Sequence, residues 1–194
     1  ESKEKLAAGT VFAVYIIAIS LFAFGFIDFP LITMHVAKGS LVADNVLPLL
    51  YSGAMLVDAF AALAFGWMYD KYGVKVLMLS TLISSCFAIM IFRCTGMPAL
   101  VAGIIMWGVG MGAQESILKS VVATIIPKDK RSRGFGIFEM AFGIAWFLGS
   151  WLLGILYDYS ITAMVVISVA TQLVAIPLFW KTDKLLTDQG VLNN

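Results

Sequence analysis

Residues 11 to 34, VFAVYIIAISLFAFGFIDFPLITM, run for 24 positions with a single charged side chain, Asp28. About 20 mostly apolar residues are enough for one α-helix to cross a bilayer, so this stretch is long enough to span. The chain meets the same requirement five more times, over residues 46–68, 76–92, 97–126, 135–156 and 161–180. Lipid offers no hydrogen bonds to the backbone, so a spanning segment must be a helix or part of a closed β-barrel. A barrel would show stretches of about 10 residues with alternating polarity, and that alternation is absent. With 61% hydrophobic and 13% charged residues among 194, the composition lies far from that of a soluble domain. The sequence therefore predicts an all-α membrane protein with one six-helix transmembrane domain over residues 1–194. The first run is too long for the apolar core of a signal peptide. A start at Glu1 rather than Met is expected of part of a longer polypeptide.

The distribution of charge gives an orientation. With six spans, both termini share a side with the second and fourth gaps. That side carries Lys3, Lys5, Lys71, Lys75, Lys128, Lys130, Arg131, Arg133, Lys181 and Lys184, ten in all, against Lys38 and Arg93 on the other. The positive-inside rule then places both termini in the cytoplasm. A net charge of +1 argues for no nucleic-acid partner. Cys86 and Cys94, eight residues apart, would lie about 12 Å apart along one helix, too far for a disulfide. No metal-ligand spacing, catalytic constellation or phosphate-cradling loop is present, so neither an enzyme nor a cofactor or metal site is expected.

Ionisable residues inside spans are costly, about 2.5–3.5 kcal/mol each on insertion scales, and turn toward protein or water. Asp28, Asp58, Glu115, Lys119 and Glu139 fall in spans one, two, four and five, so the charge-free third and sixth spans are expected to face lipid. Asp58 is the deepest and reads either as a proton or cation site or as an acid that glues helices together. Asp28 precedes Pro30, which cannot donate to the carbonyl of Phe26 and tends to kink the helix. Asp28 then belongs either to a polar node for a substrate or cation or to the interface, and His35 reads as a solvated side chain beyond it. In WGVGMGAQESILKSVV, Gly108, Gly110 and Gly112 permit close backbone approach, and Gln114 and Glu115 follow. Glu115 and Lys119 stand four apart, a spacing at which they neutralise each other on one helix face. Lys119 reads either as part of the pathway or as an interfacial side chain that snorkels. Gln114, Glu115, Lys119, Asp28 and Asp58 are the candidates for a substrate or proton pathway. Ser132 is a candidate N-cap of the fifth span, with Glu139 in its first turns suiting the helix dipole.

An internal echo links the exits of the second and fifth spans. AFGWMYD holds Gly66, Tyr69 and Asp70, and LLGILYD holds Gly154, Tyr157 and Asp158. The two lie at corresponding places of a three-plus-three division but at opposite faces, as in transporters built from two inverted repeats.

Gly66, Asp70, Lys71, Gly73 and Lys75 spell G-x-x-x-D-K-x-G-x-K between the second and third spans. This resembles the signature loop of the major facilitator superfamily, as do the glycine-rich fourth span and the basic loop PKDKRSRGFGIF before the fifth. The resemblance implies a six-helix half of a twelve-helix secondary transporter, arranged as two inverted three-helix repeats in a plasma membrane, the inner membrane of a bacterium. It implies alternating access for a small solute, with a proton or cation as a possible co-substrate, the bilayer and a second six-helix half as partners, and a cytoplasmic gating role for the five loop residues. Asp70 would meet a helix N-terminus of the opposite half, and Lys71 and Lys75 would partner Asp70 or lipid phosphates. The resemblance also implies that spans one and four line the cavity, with two and five beside it. Ile104 and Ile105 stand where first halves often carry an arginine, and Gly149, Ser150 and Trp151 replace the Gly-Pro pair of many antiporters. Both departures point to the C-terminal half. A stand-alone six-helix homodimer and a non-transporting receptor or assembly protein of the same fold are the alternatives.

Overall fold

The computed structural model describes residues 2–190, with the side chains of residues 1–8, Lys3 and Lys5 among them, outside those described. The described residues form six membrane-length helical spans, over Gly9–Lys38, Asp44–Tyr72, Lys75–Phe92, Met97–Ile125, Lys128–Tyr159 and Ile161–Asp188. The chain is an integral multi-pass membrane protein. Successive spans run antiparallel through short turns. One end of the bundle carries the turn after Tyr72 and residues 128–130, and is here the basic end; the other carries residues 39–44, 93–96 and Ser160.

Local chemistry sets most helix boundaries. Helices α2 (Phe29–Lys38), α3 (Leu47–Tyr72) and α6 (Met97–Ala113) each have proline in the first two positions, where its missing N–H would have had no intrahelical partner. Helix α9 (Ile161–Asp188) is capped by Ser160, whose Oγ accepts from the Ala163 amide at 3.2 Å. Helix α3 stops at Gly73, with φ 64° and ψ −147°, a backbone region close to that reserved for glycine. The Gly73 amide still donates to Tyr69 at 2.8 Å. Helix α8 (Arg131–Tyr159) starts earlier than the sequence suggested, with Lys130 at its N-cap. Ser132 therefore lies inside its first turn and does not cap it.

Three spans are not continuous α-helix. The first divides into α1 (Ser2–Gly25) and α2, with residues 26–28 non-helical between them. This is a full break rather than the kink expected at Pro30. The fourth passes from α6 through a π-helical segment, Gln114–Leu118, into α7 (Lys119–Ile125). The third is α4 (Lys75–Ser85) followed by α5 (Phe87–Phe92), with a local break at Cys86.

Helix α1 packs on α8 and α9, while α6 packs on α3, α4 and α5, and α4 on α9. Glycines make the closest of these contacts possible. A Cβ on Gly112 would stand 2.6 Å from the carbonyl oxygen of Asp58, and one on Gly108 would stand 2.8 Å from that of Ala54. These two glycines, one turn apart, seat α3 directly on α6. Gly110 points the other way, where a Cβ would stand 2.6 Å from the Phe26 ring and 2.8 Å from Ser84.

The third span is the most buried of the six, with Leu79, Leu82, Ile83 and Ile89 on its exposed flank. Of its apolar stretch 56% is buried, the highest share of the six, whereas the second and fifth spans are each 17% buried. A charge-free helix suits the protein core as well as lipid, and α4 turns Ser80, Thr81, Ser84 and Ser85 inward. The exposed flanks of the second and fifth spans carry Phe60, Leu63 and Trp67, and Phe147 and Trp151.

Because the obstacle at Gly112 is backbone rather than a flexible side chain, Gly112→Ala is expected to force α3 from α6 at a cost of about 1–3 kcal/mol. Thermal unfolding in detergent should show a lowered midpoint, with Gly66→Ala, which adds a methyl to open space, as the neutral comparison.

Candidate solute-binding cleft

The break in the first span creates the site. With α1 ended at Gly25, its carbonyl accepts from Ser168 Oγ at 2.6 Å and Gln172 Nε2 at 3.2 Å, both on α9. The Ile27 carbonyl accepts from the indole N–H of Trp107 at 2.9 Å. Asp28 is left at the N-terminus of α2, an end that favours a carboxylate. Its Oδ2 accepts from Ser150 Oγ on α8 at 2.6 Å. Its buried Oδ1 has no hydrogen-bond partner among the described residues. Asp28 is thus half-buried at the start of a helix and bonded to Ser150.

From Asp28 a cleft of about 990 Å³ opens between the first, second, fourth and fifth spans, lined by Asp44, Tyr51, Met55, Trp107, Met111, Glu115 and Trp146 among others. A second hollow of about 320 Å³ shares Met111, Glu115 and Trp146 with the first, and continues past Gln114 to Lys119 and Glu139. The two make one concave surface with acids along its length. Its floor is aromatic: Phe138, Phe142, Trp146, Phe26, Trp107, Phe29 and Tyr51 form an unbroken series of neighbouring rings, with centroids 5.0–5.9 Å apart.

The π segment puts Gln114 and Glu115 in different settings. Gln114 is 7% exposed and its Nε2 has no partner among the described residues. Asp58 of α3 is also 7% exposed, with Oδ1 unpartnered, and lies close enough to Glu115 for the two charges to interact. Asp58 has no protein partner at that oxygen, which gives the helix-glue reading no support there.

Lys119 does not pair with Glu115. Its Nζ lies 3.0 Å from Glu139 Oε1 on α8. The wider i→i+5 turn of the π segment removes the i, i+4 alignment that a regular helix would have given residues 115 and 119. Glu139 thus belongs to the cleft rather than to helix capping. His35 is not a solvated side chain either. Its Nδ1 is 3.0 Å from the Tyr157 hydroxyl, and its ring lies 4.7 Å from that of Phe92. Next to it, Lys38 Nζ stands 3.9 Å from Asp158.

The 65–76 loop lies away from the cleft, at the basic end. Asp70 makes no ion pair among the described residues, and Lys71 lies over the rings of Trp67 and Tyr72, at 5.6 and 5.2 Å. Lys71 is thus engaged by aromatic faces rather than by Asp70. Lys75 is near enough to the buried Asp183 of α9 for its charge to act there. Gly66 borders open space. Among the described residues no group of three or more His, Cys, Asp or Glu is placed to hold a metal ion.

Sequence reasoning missed Asp44 and Tyr51, both of the second span, and Trp146 and Ser150, both of the fifth. Gln172 had a readable signal: an amide in the middle of a long apolar run needs a buried acceptor, here the Gly25 carbonyl.

The sequence from residue 6 to residue 190 matches the model of the Major Facilitator Superfamily. The chain belongs to this family of membrane transporters. It is 34% identical over 163 residues to uncharacterised proteins of Mycobacterium bovis and of two strains of Mycobacterium tuberculosis, a match covering 84% of this chain. The chain spans only 39% of the length of these relatives. Their bacterial origin fits a plasma-membrane location.

The change of ion partner has a measurable consequence. A charge-reversal double-mutant cycle on Lys119 and Glu139 should give a coupling of about 0.2–1 kcal/mol, typical of a half-exposed pair. The equivalent cycle on Glu115 and Lys119 should give about zero. Chemical denaturation of the purified protein reads both.

Proposed function

We propose that the chain is one half of a twelve-helix secondary transporter that moves a small solute across the membrane by alternating access. The observation that carries this reading is the open acidic and aromatic cleft, flanked by the two least buried spans of the bundle. A cleft walled on one side only calls for a second wall, and the apolar flanks at Phe60, Leu63 and Trp67, and at Phe147 and Trp151, are suited to a second bundle. Gly66 and Gly154, the two glycines of the internal echo, both border open space, which leaves room for close backbone approach from that bundle. More than half of each relative's length lies outside the match, enough for six further spans.

Two inverted three-helix repeats are supported by the pairing of contacts. The first span packs on the fifth and sixth as the fourth packs on the second and third. Tyr69 bonds Thr124 of the fourth span at 3.0 Å, and Tyr157 bonds His35 of the first at 3.0 Å. Each echo tyrosine thus ties its own span to the lead helix of the other triplet. The ten-to-two bias of Lys and Arg places the basic end and both termini in the cytoplasm. The residues at 104–105 and 149–151 favour the C-terminal half.

In this scheme Asp28, Gln114, Glu115 and Lys119 face the solute path, and Asp58, without a partner at Oδ1, is the group that takes up and releases a proton or binds a cation. Asp70 is the cytoplasmic latch. Its partner is a helix N-terminus of the second half, where the dipole and free amides favour a carboxylate. The homodimer reading differs in one quantity, the mass of the gene product: about 21 kDa for a six-helix subunit, about twice that for a twelve-helix chain.

Two experiments in proteoliposomes test the assignment. Asp58→Asn is expected to abolish accumulation driven by an ion gradient while solute exchange across the membrane persists; gradient-driven uptake at the wild-type rate removes Asp58 from the coupling role. Asp70→Asn should raise labelling of cysteines placed in the cytoplasmic half of the path. Unchanged labelling would count against the latch.

A further inference from the structure

The walls of the two joined hollows carry four carboxylates, Asp28, Asp44, Glu115 and Glu139, and one cation, Lys119. Lys119 is already paired with Glu139, so among the described residues Asp28, Asp44 and Glu115 have no basic partner in a cleft lined for the rest mainly by apolar and aromatic side chains. Asp44 and Glu115 are exposed to the cleft and Asp28 is half-buried, and carboxylates gathered on a membrane-spanning surface favour a compensating positive charge or donor. Asp28 accepts from the Ser150 hydroxyl and has the Trp146 side chain near enough to act as a donor, and no basic side chain among the described residues pairs with it. Independently, the amide Nε2 of Gln114, on a side chain 7% exposed at the wall of the same cleft, has no acceptor. The cleft therefore carries an excess of negative charge at Asp28 and Glu115 and, among the described residues, an amide at Gln114 without an acceptor.

The apolar part of the wall indicates what kind of cation completes it. Hard metal ions take six or more oxygen ligands in a tight shell, and this cleft offers dispersed single carboxylates between rings. Trp107, Trp146, Phe29 and Tyr51 present the π-systems that attract an organic ammonium or phosphonium centre within about 6 Å of a ring centroid. The volume of about 990 Å³ admits a ligand of several rings. An anionic solute would meet excess negative charge with no free basic side chain among the described residues of the wall.

Resting on the reading of the cleft as the solute path, we infer that the transported solute is an organic cation with an apolar, ring-sized body and a hydrogen-bond acceptor. Its positive centre sits between Asp28 and Glu115 against the Trp146 and Trp107 faces, and its acceptor takes the Gln114 amide proton.

The test uses the intact gene product, purified in detergent, and equilibrium dialysis with tetraphenylphosphonium and tetraphenylborate, which share a shape and differ in the sign of charge. The phosphonium should bind saturably and at least about tenfold more tightly than the borate. Glu115→Gln and Asp28→Asn should each weaken it about tenfold, with Glu115→Asp retaining most of the affinity as evidence that the fold survives. Gln114→Leu should weaken benzoylcholine, which carries a carbonyl acceptor, and leave tetraphenylphosphonium unaffected. Equal or tighter binding of the borate overturns the inference, as does phosphonium affinity unchanged in the Asp28→Asn, Glu115→Gln double variant. Flux of another solute without phosphonium binding overturns the cation assignment and leaves the transport reading standing. Phosphonium binding without flux of any solute does the reverse.

Discussion

The architecture depends on one demand of lipid: every backbone carbonyl and amide within the bilayer must find a partner inside the protein. The interruptions of the first and fourth spans are each completed by the other span. The break in the first span exposes the Ile27 carbonyl, which Trp107 of the fourth span covers at 2.9 Å. The π segment of the fourth span exposes the Leu118 carbonyl, which the hydroxyl of the fully buried Tyr15, on the first span, covers at 2.7 Å. Gln172 and Ser168 of the sixth span complete the first break at Gly25. Ser116, Ser120 and Thr124 each donate to the carbonyl four residues back along the fourth span. Neither irregular element would be tolerable without the other bundle members in place.

These irregularities put the chemistry where it is. An unbroken first helix would satisfy its own carbonyls and leave Asp28 one more side chain along a continuous spiral. The break makes Asp28 the start of a new helix and lets it meet Ser150. In the fourth span the π segment separates Glu115 from Lys119, so that Lys119 joins Glu139 on the fifth span and Glu115 is left to the cleft beside Asp58. The same wall carries the ring series from Phe138 to Tyr51. Acid and aromatic surface thus meet along one groove, between spans whose outer flanks carry exposed apolar side chains.

Much of this was legible in the sequence. The number and approximate limits of the spans followed from hydropathy, because a lipid-crossing helix has a minimum length. The family followed from the residues between Gly66 and Lys75. The discontinuity at Asp28 was visible only as a kink, since Pro30 shows which bond is lost but not whether Trp107 and Gln172 stand ready to replace it. The extent to which the third span is buried was not legible, because absence of charge marks any apolar environment, core or lipid. The Glu115–Lys119 pair failed because spacing arguments assume 3.6 residues per turn, and the π segment does not keep it.

The sequence by itself determined that this chain is a six-span helical membrane protein of the Major Facilitator Superfamily, because solvation by lipid acts on each segment separately and the signature loop is local. Only the tertiary structure decided which acids share a cleft, which are already paired and which side chains complete the broken helices. Those outcomes rest on contacts between residues as far apart as Gly25 and Gln172, or Asp28 and Ser150, and no rule of local spacing reaches across that distance.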